Sequence, residues 1–329
     1  MSSVPLAGKG ALPSGRARAF YRRLRAGEEL AYTMAATAAA SILVITALIV
    51  IELYSQSALS RSKFGWSFLG TSVWDPVAGT FGALPFIYGT VITSIFALLI
   101  AIPLGLGSAI FLSEMAPARI SNALTFLIEL LAAVPSVVYG LLGIFVLVPF
   151  LRETLVPGLI KPALGSLPVF HGPFYGVSVF TAGLVLSIMI VPFIISVSRE
   201  VLLAVARDQR EASLALGASK WQTVWRVVLP NAFTGIVGSI FLALARALGE
   251  TMAVTMVIGN HPDIGRSLFA PGNTLASVIA NEFSEATGDM YLSALIEIGL
   301  ALFLVTIVVN AIARGLVWAV TRGAPSRVH

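Results

Sequence analysis

Polar positions along this chain are sparse and clustered, and long apolar runs lie between the clusters. A helix rises 1.5 Å per residue, so the hydrocarbon core of a bilayer takes about 20 apolar residues. Six runs reach that length, at roughly 34–53, 86–112, 123–150, 177–198, 236–258 and 292–320. The pattern predicts an all-α, polytopic membrane protein with six transmembrane helices. Within the runs, Gly105, Gly107 and Ser108 allow close helix packing, and Pro103, Pro135 and Pro192 predict kinks. Outside them, residues 274–286 carry apolar positions at helical spacing and predict a short surface helix. Residues 157–173 hold too many glycines and prolines for a long helix.

Composition supports the membrane reading. Of 329 residues, 57% are hydrophobic and 11% charged, against about 25% charged in a soluble domain. With no cysteine there is no disulfide or thiolate metal site. His171, His261 and His329 are far apart, and no metal site is expected. The net charge of +5 invites a nucleic-acid reading, but no motif or basic-aromatic interleaving supports one.

Basic residues are better explained by membrane topology. Lys9, Arg16, Arg18, Arg22, Arg23, Arg25, Arg119, Arg199, Arg207, Arg210, Lys220, Arg226, Arg314, Arg322 and Arg327 fall on one side of the predicted map. Arg61, Lys63, Arg152, Lys161 and Arg266 fall on the other. The positive-inside rule then puts both termini in the cytoplasm. Residues 1–30 are expected to be a disordered basic tail, 31–322 the transmembrane domain and 323–329 a second tail. The first apolar run is too long for a cleaved signal and reads as an uncleaved anchor.

Residues 211–230, EASLALGASKWQTVWRVVLP, form the most specific stretch. The spacing predicts a short helix, a sharp turn at Gly217 and a second, amphipathic helix ended by Pro230. Trp221, Val224, Trp225 and Val228 share one face of that second helix. Such an element suits docking into a partner's groove. It equally suits an amphipathic connector on the membrane surface.

This stretch resembles the coupling loop of ABC importer permeases: E-A-A, three residues, G, nine residues, I, one residue, L-P. Glu211, Ala212, Gly217, Leu229 and Pro230 match, while Ser213 replaces an alanine and Val227 an isoleucine. Residues 126–149 and 242–260 further resemble the C-type permease subunit of the phosphate-specific ABC importer. That resemblance implies a type I importer permease fold in the cytoplasmic membrane of a prokaryote. It also implies an A-type permease partner in a heterodimer, two ATPase subunits and an extracytoplasmic phosphate-binding protein. The chain has no G-x-x-x-x-G-K-S/T loop to cradle nucleotide phosphates. Hydrolysis of ATP-Mg is accordingly expected in the partner ATPase, and no cofactor or catalytic residue in this chain.

Arg246 and Glu250 stand inside the fifth apolar run. An arginine at the bilayer centre costs about 2.5–3.5 kcal/mol on insertion scales. Four residues apart on a helix, the two share a face and can pair. Leucines in both places would avoid the cost altogether, which favours a role in the translocation path. The resemblance agrees, since the matching family positions carry charges linked to phosphate passage. Glu129 in the third run is a further pathway candidate, and Glu297 in the sixth a weaker one. Interfacial carboxylates, or partners for Arg246, are the plainer readings of those two. The alternatives are a permease for another oxyanion, such as sulfate or molybdate, and a proton-coupled secondary transporter using the carboxylates. The second leaves residues 211–230 unexplained.

Overall fold

The computed structural model describes residues 15–322. The chain divides into two compact units, residues 1–55 and 56–329. The described part of the first is one helix, α1 (Gly15–Gln56), whose stretch Ala31–Gln56 is long and apolar enough to cross a membrane. The helix begins well before that stretch, so residues 15–30 are helical where a disordered tail was expected. Arg, Ala, Leu and Glu dominate them, and these are good helix formers. The rest of that tail, residues 1–14, and the expected tail 323–329 lie outside the described residues.

The second unit is all-helical among the described residues. Helix α2 (Ala58–Phe64) opens it. Five helices long enough to span follow: α3 (Leu84–Met115), α5 (Ser136–Leu164), α6 (Val179–Leu203), α8 (Lys220–Leu248) and α11 (Asp289–Ala319, running on to Arg322). Between them lie α4 (Ala118–Ala132), α7 (Arg207–Ala215), α9 (Met252–Ile258) and α10 (Leu275–Glu282).

Helix α6 is the axis of the unit. Its sequence is apolar on every side as far as Ser198, as a mostly enclosed helix requires. Leu186, Ile190, Ile194 and Leu202 are buried along it, and α3 packs down its length. Gly105 makes part of that contact possible: a Cβ there would stand 2.7 Å from Ile194 Cγ2. Gly107, expected to share the role, faces open space.

Two spans differ from expectation. The third apolar run does not form one helix. Residue 134 precedes Pro135, whose ring disfavours helical backbone before it. The chain therefore stops at Ala132, turns, and restarts at Ser136. The restarted helix continues through Pro157 to Leu164, across residues expected to break it. Widened, π-helical turns over Leu151–Ile160 accommodate the proline ring. The fifth run is displaced the opposite way. Its helix begins at Lys220, passes Pro230 through a π-helical turn at Val224–Val228, and ends at Leu248. Pro230 was expected to end the amphipathic helix; it sits instead near the start of the next regular segment, where its missing N–H is tolerated.

Helix α10 forms where a short surface helix was expected, but Leu275, Ala276, Ser277 and Val278 are buried. Its N-terminus is tied down by Thr274, which accepts from the Ser277 N–H, and by Thr90 Oγ1, which accepts from Leu275 N–H at 2.9 Å. Beside it, Trp74, Phe81, Phe86 and Tyr291 form an aromatic cluster. Glu282 accepts from both Trp74 Nε1 (2.8 Å) and the Tyr291 hydroxyl (2.7 Å).

Candidate functional site

Arg246 lies in the last turn of α8 and is exposed. Glu250 is half-buried beyond the helix end. No hydrogen bond or ion pair joins them, contrary to the pairing that their spacing allowed. The cause is local. Gly249 closes α8, and Thr251 turns the backbone (φ −112°, ψ −67°) before α9 begins. Residues 246 and 250 therefore leave the common helix face that a four-residue spacing assumes. Glu250 turns to the next helix instead: its Oε1 accepts from Ala253 N–H at 3.2 Å. A carboxylate there satisfies one of the free donors of a helix start.

A second break lies beside this one. Helix α5 packs on α9 through two glycines. A Cβ on Gly140 would stand 3.2 Å from Ala253 Cα and 2.6 Å from Met256 Sδ. One on Gly143 would meet Val257 Cγ1 at 2.8 Å. In the first turn of α5, Tyr139 spans the gap back to α4 by donating its hydroxyl to Leu131 O at 2.8 Å. Neither Tyr139 nor the two glycines stood out in the sequence. The repeated small residue in YGLLG was the available signal.

Glu129 is exposed on α4, outside the spanning part of α5, and no hydrogen bond or ion pair joins it to Arg246 or Glu250. Glu297 is buried on α11 and faces Ser60 and Arg61 of α2, away from any pairing with Arg246.

The loop 211–230 takes the expected turn. Gly217 has φ +87°, with open space where a Cβ would be. Glu211 and Ala212 are exposed on α7, Leu229 is half-buried and Pro230 exposed. Ser213, the departure from the alanine pattern, has its own contact: its hydroxyl meets Thr223 Oγ1 at 3.0 Å across the turn. Ser219 and Gln222 cap the start of α8 reciprocally. The amphipathic face divides. Val224 and Val228 are buried, whereas Trp221 and Trp225 are exposed and stack edge-to-face at 5.5 Å.

What anchors this loop was not read from the sequence. Arg210, just before the motif, meets Glu114 at the end of α3 at 2.8 Å. Its guanidinium also donates to Leu202 O (2.6 Å) and to Val205 O. These partners complete the carbonyls at the end of α6, so one side chain joins α3, α6 and α7.

Six apolar helices, two broken beside each other, and an exposed two-helix loop on an anchored arginine are the frame of a membrane transport component. Residues 101–322 match the family of binding-protein-dependent transport system inner membrane components, and the chain belongs to that family. It is a multi-pass inner-membrane protein. It is 48% identical to the phosphate transport system permease protein PstC of Mesorhizobium japonicum, covering 85% of this chain and 87% of that one. It is 47% identical to the protein of the same name from Pasteurella multocida, covering 85% and 88%. Its fold is similar to that of a bacterial ABC transporter involved in the import of the acidic polysaccharide alginate (TM-score 0.56, 16% identity, 90% of this chain and 98% of that one). An inward-facing MetNI methionine ABC transporter shares the fold at a TM-score of 0.50 and 17% identity, over 70% of this chain and 94% of that one.

Proposed function

We propose that this chain is a transmembrane subunit of an ATP-driven importer of inorganic phosphate. The similarity to phosphate transport permeases carries the choice of substrate. The exposed loop at Gly217, held by Arg210 and Glu114, supports coupling to a separate ATPase. In this reading the chain pairs with an A-type permease, two ATPase subunits bind ATP-Mg beneath them, and an extracytoplasmic protein delivers phosphate. Both termini face the cytoplasm, in keeping with the basic residues.

Arg246 is the pathway cation. Its exposed guanidinium offers charge-assisted hydrogen bonds to a passing oxyanion, and it sits where α8 gives way to a turn. Broken helices at membrane depth are tolerated where they line a polar cavity. Glu250 holds the start of α9 and keeps negative charge near the path, which favours release of the anion. Glu129 belongs to the path only at its periphery. Glu211, Ala212, Gly217, Leu229 and Pro230 form the coupling element. The decisive experiment reconstitutes the chain with its partner subunits in vesicles and measures phosphate uptake with and without internal ATP. ATP-dependent uptake of phosphate, unaffected by collapse of the proton gradient, is expected. Uptake driven by the gradient alone overturns this reading.

A further inference from the structure

A groove of about 800 Å³ opens between α8 and α11. Phe233, Val237, Leu242, Val317 and Trp318 supply apolar walls. Gly238 leaves its floor open, with nothing within 4 Å of where a Cβ would stand. One cation belongs to the groove. Arg314 lies about two turns before the end of α11 at Arg322, its guanidinium 6.0 Å from the centre of the Phe241 ring. Among the described residues no carboxylate pairs with it.

An arginine in a spanning helix is costly unless it meets an anion or reaches the interface. Stacking on Phe241 satisfies only one face of the ion. From Phe233 to Leu242 the groove follows α8 for about 14 Å at 1.5 Å per residue. That is about half of a 30 Å hydrocarbon core, the depth of one leaflet. Trp318 stands near the end of α11, at the level where indole rings favour the membrane interface.

We propose that this groove is a specific site for an anionic phospholipid. Arg314 receives the phosphate of the headgroup, and an acyl chain lies over Gly238 between Val237, Leu242 and Val317. An anionic head on an apolar tail is the one amphiphile that matches both the unpaired cation and the uncharged walls. A zwitterionic lipid fits the walls but carries its own ammonium, which competes for the phosphate. Basic pockets between membrane helices on the cytoplasmic side have this chemistry. The groove lies along the middle of α8, so its occupant would brace the helix that carries Arg246.

The test uses the full chain purified with its partner subunits in detergent. Phosphatidylglycerol and phosphatidylcholine with identical acyl chains are added, and bound lipid is counted by native mass spectrometry. The wild type is expected to retain phosphatidylglycerol with a preference of about fivefold, the factor one surface basic residue supplies. Arg314→Gln should abolish the preference, and Arg314→Lys should keep it. Gly238→Leu, which fills the floor and leaves the arginine in place, should remove one bound lipid copy of either headgroup. Equal retention of the two lipids by the wild type overturns the proposal, as does an unchanged preference in Arg314→Gln. Loss of a protein subunit from Arg314→Gln with lipid binding unaltered also overturns it, because a partner's carboxylate would then occupy the groove.

Discussion

The Arg210 guanidinium and the Glu114 carboxylate meet at 2.8 Å, with only 18% and 11% of their side chains exposed. This ion pair ties the end of α3 to the start of α7. Removing one member of a fully buried pair costs about 3–5 kcal/mol; this pair keeps some contact with solvent, so its loss costs less. Glu114→Ala is expected to lower the thermal stability of the purified complex and to reduce uptake more than ATP hydrolysis. The ratio of phosphate moved to ATP consumed checks it. An unchanged ratio in a destabilised complex would assign the pair to stability alone.

Gly217 tests the turn itself. At φ +87° a residue with a Cβ costs about 1–2 kcal/mol, and asparagine tolerates this region best. Because the space around it is open, the cost is backbone strain rather than collision. Gly217→Val is therefore expected to assemble but to lose most ATP-driven uptake, while Gly217→Asn retains most of it. Equal activity in the two variants would contradict a conformational requirement at this turn.

Arg246 and Glu250 separate by their different partners. Arg246→Gln should abolish phosphate uptake with normal yield of complex. Glu250→Gln keeps an acceptor for the Ala253 N–H and removes only charge, whereas Glu250→Ala removes both. Loss of an N-terminal cap costs about 1 kcal/mol, so Glu250→Ala should be the less stable of the two by that amount in thermal melts. Since the pair is not bonded, replacing both residues with leucine should not restore transport. Full uptake in the double variant would show that no charge is needed here.

Topology is open to a direct check. A reporter inserted after Gly172, in an open loop beyond α5, is expected on the extracytoplasmic side. One inserted after Leu216, which is 89% exposed in the coupling turn, is expected in the cytoplasm. A site at Pro157 would not serve, because that residue is inside α5. Opposite labelling of the two positions would reverse the membrane orientation and exclude contact of the coupling loop with a cytoplasmic ATPase.

The sequence by itself determined the elements that depend on composition and local spacing. Six apolar runs specified six spanning helices, because a bilayer admits few other solutions for a backbone. Gly217 specified its turn, because only glycine adopts that conformation without strain. Tertiary structure decided how far the helices beside the two breaks run, to Leu164 and back to Lys220, whereas Pro135 and residues 249–251 mark the breaks themselves locally. It decided that Val224 and Val228 turn inward while Trp221 and Trp225 stay outside, although all four share one stripe. The local turn at Gly249 and Thr251 separated Arg246 from Glu250, because the four-residue rule holds only while the helix lasts. Tertiary structure also joined Arg210 to Glu114 across 96 positions of chain. No local pattern encodes that contact: two lone charges become partners only when the packing of α3 against α6 carries them together.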